Sequence, residues 1–219
     1  MQVERMLAEG GPHMITTPNP EFLVAAQTDA KFCAILNRAD LALPDGAGLM
    51  WAARFLGTPL RERIAGSDFV WDIAALAANQ NYKLYLVGGR AGVAQSAAQN
   101  IIARLRNRAI VHGEREPDIA HIRDAAPDIL LVALGHPKQE KWIAAHLSEL
   151  PSVKIAMGVG GALDFIAGRV FRAPRFLRAL GLEWLWRLIL QPWRLLRIFR
   201  AVLVFPALVA VWYLTKGRK

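Results

Sequence analysis

The sequence has little of what secreted and disulfide-stabilised proteins depend on. Its 219 residues include a single cysteine, Cys33, so an intrachain disulfide is excluded, and the thiol is expected to be a reduced, small core residue in a cytoplasmic compartment. The first ten residues lack the apolar run of a secretory signal. Glycine and proline are moderate in number, with 17 and 12 residues, and no block is of low complexity, which excludes disorder as the main state.

Several catalytic motifs are also missing. The sequence has no Walker A motif, no HExxH, no pair of CxxC motifs and no Gly-x-Ser-x-Gly elbow. The run Gly88-Gly89-Arg90-Ala91-Gly92 fails the dinucleotide fingerprint because Val87 stands where its first glycine belongs. No Asp-x-Asp is present to hold a divalent cation. Charge on a leaving group would therefore be stabilised by arginines and helix N-termini.

Positive charge is concentrated at one end of the chain. Eleven lysines and arginines and one acid, Glu183, lie between Arg169 and Lys219, whereas the preceding residues hold sixteen basic and seventeen acidic side chains. The tail thus has a net charge of +10 and the rest of the chain −1, so the tail accounts for all of the excess positive charge of the protein (+9). Such asymmetry indicates an anionic partner, which composition alone leaves open as a membrane surface, a diphosphate or nucleic acid.

The basic tail is also apolar and rich in tryptophan. It holds four of the seven tryptophans, and tryptophan beside arginine on an amphipathic helix is typical of a membrane interface. The uncharged run Ala201 to Leu214 is shorter than the roughly twenty residues that cross a bilayer, and Pro206 interrupts it. We therefore expect a segment lying in the interface rather than a span, although an ordinary helix docked on the sheet has the same pattern.

Short apolar runs alternate with helical patterns between His13 and Gly158. Strands are predicted at Met14–Thr17, Leu41–Leu43, Leu84–Val87, Ala109–Val111, Ile129–Ala133 and Lys154–Met157. Helices are predicted at Glu21–Asn37, Ala47–Leu56, Asp68–Asn79, Val93–Arg106, Ile119–Ala126 and Glu140–Leu147, with Asn19 and Ser67 as N-caps and Pro192 breaking a helical tail. The alternation predicts an α/β fold, a Rossmann-like and mainly parallel sheet flanked by helices, with ligands at the carboxyl ends of the strands.

Four loops at predicted strand ends carry polar groups. They are Thr16 to Pro20, Leu43 to Gly48, Arg61 to Asp68 and Gly135 to Trp142. Asp45, on a turn flanked by glycine, is placed for a general base, and Arg63 before a helix N-terminus is placed to bind a diphosphate. Each residue has an equally good alternative explanation when it is considered alone. Asp45 could cap the next helix, and Arg63 could be a solvated side chain on a surface loop. His136 is expected to be a bystander.

Seven motifs in order resemble one family. They are Thr17-Pro18-Asn19-Pro20-Glu21, Pro44-Asp45-Gly46-Ala47-Gly48, Arg63-Ile64-Ala65-Gly66-Ser67-Asp68, Tyr85-Leu86-Val87-Gly88-Gly89, Gly135-His136-Pro137-Lys138-Gln139-Glu140, Gly158-Val159-Gly160-Gly161-Ala162-Leu163-Asp164, and Arg172-Ala173-Pro174 through Glu183-Trp184 to Arg187. Together they resemble the WecG/TagA/CpsF glycosyltransferases, which include the xanthan-type glucosyltransferases. Each motif is weak alone, whereas all seven in order are specific.

The resemblance implies an enzyme without a metal site or cofactor. It implies inverting transfer of a sugar (N-acetylmannosamine, its uronic acid or glucose) from a UDP-sugar to a polyprenyl-diphosphate-linked saccharide in cell-envelope or exopolysaccharide biosynthesis, at the cytoplasmic face of the membrane. It implies that Asp45 is the general base. It implies that Thr17, Asn19, Arg63 and Gln139 bind the donor, while Arg187, Arg194 and Arg197 contact diphosphate from a lid.

The same resemblance divides the chain into two parts. Residues 1–168 are expected to form the α/β glycosyltransferase domain without the family's first strand, and residues 169–219 a helical membrane-associating appendage. A non-catalytic, membrane-attached nucleotide-binding or scaffold protein is the alternative. A nucleic-acid partner is disfavoured by the tryptophan-rich, apolar neighbourhood of the basic residues. The sequence leaves open the pathway and whether the protein forms a homo-oligomer.

Overall fold

A computed structural model of the protein describes residues 2–106 and 110–216. Its six strands are β1 (His13–Thr16), β2 (Leu41–Ala42), β3 (Lys83–Gly88), β4 (Ile110–Glu114), β5 (Ile129–Ala133) and β6 (Ile155–Gly158). They form one sheet in the order β2-β1-β6-β5-β3-β4, and each neighbouring pair is parallel. All six predicted strands are present, except that the predicted start at Ala109 lies outside the described residues. The expected α/β fold is confirmed.

Helices cover both faces of this sheet. Those before the tail are α1 (Gln2–Glu9), α2 (Pro20–Ala26), α3 (Ala30–Arg38), α4 (Ala47–Phe55), α5 (Gly66–Gln80), α6 (Val93–Arg104), α7 (Ile119–Ala125), α8 (Lys138–His146) and α9 (Ala162–Ile166). Every residue of β5 is buried, as expected of a continuous apolar strand covered on both faces. One core packs beneath α1, α5, α6 and α9, and a second beneath α3, α7 and α8.

The single helix expected over Glu21–Asn37 is wrong, because the structure has two helices there. The carboxylate of Asp29 accepts a hydrogen bond from the backbone N–H of Phe32 (3.0 Å) and so caps a new helix. Asn19 caps α2 as predicted, accepting from Phe22 N–H (3.1 Å). Ser67 is not an N-cap, since α5 begins two residues earlier than predicted, at Gly66, with Ala65 in the cap position. Cys33 is half-buried rather than part of the core.

The tail is helical beyond Gly168. Helix α10 (Arg175–Ala179) and helix α11 (Glu183–Leu190) are followed by a break at Gln191, whose φ and ψ are −138° and 69°. A continuous helix of 24 residues, here called the tail helix, then runs from Pro192 to Thr215. The predicted break at Pro192 is confirmed. The division of the chain at Gly168 stays a prediction.

Pro206 does not interrupt the tail helix. The helix instead adopts a π-helical turn over Arg200–Val204, directly before its final α-helical stretch, Phe205–Lys216. A proline inside a helix lacks an N–H and crowds the carbonyl four residues earlier, and a widened turn relieves both defects. An 18-residue window of the tail helix has a mean hydropathy of 2.0, and the helix is long and apolar enough to cross a membrane by length and composition. The length argument against a span therefore fails.

The tail helix packs on the α/β part through one side only. Phe205 and Val209 are buried against Leu49 and Ala52 of α4. Elsewhere along the same helix, large apolar side chains are exposed to solvent: Trp193, Leu195, Leu196, Phe199, Leu203, Val211, Trp212 and Leu214. The exposed side is what a helix would present to lipid.

Candidate active site

A cavity of about 420 Å³ opens at the carboxyl ends of β1, β2, β5 and β6. Loops after these strands form its floor, and α11 and the tail helix form its opposite wall. All eight residues named from the sequence line it: Thr17, Asn19, Asp45, Arg63, Gln139, Arg187, Arg194 and Arg197. The structure therefore brings together residues from six separate segments of the chain.

Asp45 is held on a tight turn on the cavity wall. Its backbone N–H donates to Pro18 O (2.8 Å), and the following Gly46 has φ of 92°, a conformation that favours glycine. The N–H of Gly66, at the start of α5, lies 3.5 Å from Asp45 Oδ2. Burial raises the pKa of Asp45, while the Gly66 N–H, Arg187 and Arg63 oppose that rise. The carboxylate is thus a stronger base than in water yet is still stabilised as an anion.

Arg63 reaches the same cavity from the loop before α5. Its Nη2 donates to the carbonyl of Arg178 in the tail (3.1 Å), which directs the guanidinium toward the tail side of the cavity. The next residue, Ile64, donates its N–H to Pro44 O (3.0 Å). This backbone bond fixes the loop of Arg63 to the turn that carries Asp45, so that a cation and a carboxylate share one cavity.

Thr17 and Asn19 form the part of the floor after β1. Thr17 is buried, and its methyl group lies 3.4 Å from where a Cβ on Gly66 would be. The side-chain oxygen of Asn19 caps α2, so the part of this side chain that can bind a ligand is its NH2 group. Both residues line the cavity, and their assignment to the donor stays a prediction.

Gln139 is more deeply engaged than the sequence indicated. Its Oε1 accepts the backbone N–H groups of Gly135 (3.1 Å) and Gly160 (3.0 Å), and its Nε2 donates to Oε1 of Glu140 (2.7 Å). Gln139 is 2% exposed and Glu140 is fully buried. The amide of Gln139 therefore joins two loops of the cavity floor. Only the second N–H of its Nε2 could also donate to a sugar or uracil.

Arg187 and Arg194 converge on the loop after β6. Their terminal nitrogens lie 3.8 and 3.3 Å from the position that a Cβ on Gly161 would occupy. Burial lowers the pKa of Arg187. Burial first, and then the neighbouring Arg187 and Arg197, lower the pKa of Arg194 to about 10. Both arginines stay protonated at neutral pH, although burial and the neighbouring positive charges destabilise the two cations. An anion bound between them would relieve this repulsion and would therefore be bound strongly.

Arg197 makes an ion pair within the protein. Its Nε and Nη2 donate to the two carboxylate oxygens of Glu21 (2.5 and 2.9 Å), and Nη2 also lies 3.0 Å from Nδ1 of His136. Burial lowers the pKa of His136, and its ring stacks on Phe22 at 4.9 Å. These contacts bind the tail helix to α2. Arg197 is therefore less available to a diphosphate than Arg187 or Arg194.

Sequence reasoning missed several residues of this cavity. Glu183 lies 3.8 Å from Arg187 and tends to raise the pKa of Asp45, and Trp51 and Trp184 form apolar walls. Glu183 and Trp184 belong to the last of the seven motifs, but the resemblance assigned a role to neither residue. Among residues 2–106 and 110–216, no group of three or more His, Cys, Asp or Glu side chains is arranged to hold a metal ion.

Comparison with known proteins decides the family. The glycosyl transferase WecG/TagA/CpsF family is matched over residues 1–219. The chain belongs to this family. A relative from Bacillus subtilis, named N-acetylglucosaminyldiphosphoundecaprenol N-acetyl-beta-D-mannosaminyltransferase, is 34% identical over 187 residues, covering 83% of this chain and 73% of the relative. Relatives of the same name from Staphylococcus aureus strains MRSA252 and NCTC 8325 are 31% identical over 202 residues, covering 90% of this chain and 79% of theirs.

Membership makes the chain a glycosyltransferase, as the resemblance implied. The non-catalytic scaffold is thereby set aside. A carboxylate with a backbone N–H beside it and two guanidinium groups line one cavity of this glycosyltransferase. Sugar transfer in general uses a base for the incoming hydroxyl and positive charge for an anionic leaving group.

Proposed function

We propose that this glycosyltransferase moves an N-acetylmannosamine-type sugar from a UDP-sugar to N-acetylglucosamine carried on polyprenyl diphosphate. Two observations support the substrates. The relatives' names specify an N-acetylmannosaminyl group and an N-acetylglucosaminyl-diphospho-undecaprenol acceptor, and the cavity joins a polar floor to an apolar, lipid-like wall. Our proposal includes that the reaction occurs at the cytoplasmic face of the membrane, in cell-envelope polysaccharide synthesis.

The single observation that carries the mechanism is that Asp45 and the convergent Arg187 and Arg194 line the same cavity, with Arg187 close enough to lower the pKa of Asp45. Asp45 takes the proton from the acceptor hydroxyl as its oxygen attacks the anomeric carbon. The bond from that carbon to the diphosphate oxygen breaks, and UDP leaves from the opposite face, which inverts the configuration. The raised pKa of Asp45 favours this role, since a base is most effective when its pKa approaches the working pH.

Arg187 and Arg194 would stabilise the diphosphate charge that develops as this bond breaks. Their guanidinium groups lie beside Gly161. Because glycine has no side chain, a ligand at this position can contact both the backbone and the two cations. Arg63, on the loop fixed to the Asp45 turn, would contact the same diphosphate from the other side. The proposed reaction thus needs no metal ion, since the protein supplies three fixed cations where charge appears.

Release of UDP is the direct test. Wild-type protein is given a panel of UDP-sugars and an N-acetylglucosaminyl-diphosphate-lipid acceptor, and UDP-N-acetylmannosamine is expected to give the fastest release. Asp45→Asn is expected to lower the rate about 10²–10⁴-fold, the usual contribution of a general base, with little change in UDP affinity. Exposed Asp124→Asn is the matched control. A near wild-type rate in Asp45→Asn contradicts the assignment.

Stereochemistry provides a second test of the same mechanism. NMR of the product is expected to show the anomeric configuration opposite to that of the donor sugar, because attack and departure occur on opposite faces. Retention of configuration would contradict a single in-line displacement with Asp45 as its base.

The location is tested separately from the chemistry. Full-length protein is expected to float with anionic liposomes and to show no retention by oligonucleotides, because the exposed side of the tail helix is apolar. Replacing Leu195, Leu196 and Phe199 together by serine is expected to reduce flotation. Tight, salt-dependent retention by oligonucleotides would instead favour a nucleic-acid partner.

A further inference from the structure

One wall of the cavity is apolar, in contrast to the floor that carries Asp45. Trp51 of α4 forms this wall together with Ile198, Ala201, Val202 and Pro206 of the tail helix. Two of these residues belong to the π-helical turn Arg200–Val204. The polar chemistry described above uses none of the five.

An aromatic ladder continues this wall away from the cavity. The ring of Trp51 stacks on Phe55 one turn along α4, with centroids 5.4 Å apart, and Phe55 meets Tyr213 of the tail helix at 4.9 Å. These three side chains are 48%, 45% and 40% exposed. They therefore form an open apolar surface along the seam between α4 and the tail helix, beginning at the cavity.

The two helices that border this seam are fixed relative to each other. Leu49 and Ala52, on the inner side of α4, are buried against Phe205 and Val209 of the tail helix. Gly48 brings α4 so close to α2 that a Cβ at this position would lie 2.8 Å from Cγ of Pro20. The exposed aromatic side chains are thus held on a rigid frame, which reduces the entropy lost when an apolar ligand binds.

We propose that the Trp51–Phe55–Tyr213 ladder binds the first isoprene units of the acceptor's polyprenyl chain, and that α4 is consequently a second membrane-facing element beside the tail helix. This inference rests on the proposed function, which places the acceptor hydroxyl beside Asp45 and the donor diphosphate beside Arg187 and Arg194. With those parts of the cavity occupied, the hydrocarbon chain of the acceptor leaves along the remaining, apolar side. Aromatic and aliphatic side chains remove isoprene units from water, and the ladder leads them from the bilayer to the cavity.

Two acceptors that differ only in their lipid test the proposal. Both carry N-acetylglucosaminyl diphosphate, one on a long polyprenyl chain and the other on a short, water-soluble alkyl chain. Trp51→Ala, and Val202→Trp, which fills the apolar wall, are each expected to raise KM for the polyprenyl acceptor about tenfold (about 1.4 kcal/mol). KM for the short acceptor and the affinity for UDP are expected to stay unchanged. Trp51→Phe is expected to restore most of the loss.

Leu196→Ala is the matched control. Leu196 lies on the same tail helix and is 73% exposed, but it lines neither the cavity nor the ladder. It is expected to weaken vesicle binding without changing the ratio of the two KM values in detergent. If Trp51→Ala behaves like Leu196→Ala, the aromatic surface contacts bulk lipid and the proposal is overturned. An equal change of KM for both acceptors overturns it as well.

A binding measurement separates this inference from the proposed reaction. A polyprenyl diphosphate with a photoreactive group in its first isoprene units is expected to label the peptide Ala47–Phe55 in wild-type protein and not in Val202→Trp. Labelling confined to other peptides overturns the inference. If neither acceptor is turned over by wild-type protein, the proposed function fails, and the labelling experiment still decides whether the ladder holds a polyprenyl chain.

Discussion

Arg197 of the tail helix donates two hydrogen bonds to Glu21 of α2, one to each carboxylate oxygen. The residues are 176 positions apart in the sequence, and Glu21 is the more buried partner, with 13% of its side chain exposed. Nη2 of Arg197 also lies 3.0 Å from His136 Nδ1 on the loop after β5. One guanidinium thus connects three segments at the edge of the cavity.

Loss of this pair is expected to loosen the tail helix. Glu21→Gln leaves the positive charge of Arg197 half-buried beside a neutral amide, which costs about 1–3 kcal/mol. Amide hydrogen exchange is expected to rise over residues 192–204, and turnover is expected to fall several-fold. Arg200→Gln, an exposed position on the same helix, is the control and is expected to show neither change. Unaltered exchange in Glu21→Gln would mean that apolar packing alone holds the helix.

Arg194 is expected to contribute more than Arg197 to binding of UDP. Arg194→Gln removes a cation that lies beside Gly161, and the affinity for UDP is expected to fall about 10- to 100-fold, the usual value of one or two hydrogen bonds to a charged group. Calorimetric titration of UDP measures this. Arg38→Gln, at the exposed end of α3, is the control. If Arg197→Gln weakens UDP binding more than Arg194→Gln does, the ion pair with Glu21 does not keep Arg197 from the ligand.

Glu140 is expected to give the protein's stability a distinct pH dependence. Burial raises the pKa of Glu140 to about 7 from its usual 4.5, so the folded state binds the proton more tightly than the unfolded state. The free energy of unfolding should therefore fall as pH rises from about 4.5 to about 7, by about 3 kcal/mol in all.

Glu140→Gln is expected to abolish this part of the pH dependence, because the amide keeps an acceptor for Gln139 Nε2 without titrating. Unfolding is measured in detergent from pH 4.5 to pH 8. As pH rises, the free energy of unfolding of the variant should increase relative to that of the wild-type protein. The exposed Glu62→Gln supplies the comparison. Parallel curves for wild type and Glu140→Gln would show that the carboxyl is ionised in the folded protein at neutral pH.

Two glycines near the cavity are expected to respond differently to alanine. A Cβ at Gly158 would lie 2.5 Å from Gln139 Nε2 and 2.6 Å from Glu140 Oε1, so Gly158→Ala should destabilise the fold by about 1–3 kcal/mol through overpacking. A Cβ at Gly161 would meet only the ends of flexible side chains, the nearest being Arg194 at 3.3 Å. Gly161→Ala should therefore leave Tm nearly unchanged while weakening UDP binding. Equal losses of Tm would contradict this distinction.

The sheet was predictable because its strands are short, continuous and apolar. Ile129–Ala133 is identical in sequence prediction and structure, since a run of five aliphatic residues buried on both faces has few alternatives. The break between α2 and α3 was missed because the helical pattern continues across it, and the capping bond from Asp29 competes locally with that pattern. The span of the tail helix was underestimated because Pro206 is accommodated by a π-helical turn, which sequence alone does not reveal.

For the site, the sequence indicated which loops meet but not how their groups are used. Asp45 was placed correctly because it follows a strand end, and the carboxyl ends of parallel strands share one edge. Arg63 was also expected at a strand end, but it lies on the loop between α4 and α5, and the bond from Ile64 N–H to Pro44 O brings this loop to the cavity. The contacts of Gln139 with Gly135 and Gly160 depend on loop conformations that follow from tertiary packing. The pairing of Arg197 with Glu21 depends on where a distant helix docks, and no periodicity within either segment specifies it.

Part of the cavity wall comes from α11 and the tail helix, which the ribosome makes after the sheet is complete. The turn that carries Asp45 precedes this wall in the chain. Under the proposed mechanism, a chain cut short before Arg187 would hold the base but lack the cations for the leaving group. Competence for transfer would then begin only once α11 and the tail helix have docked.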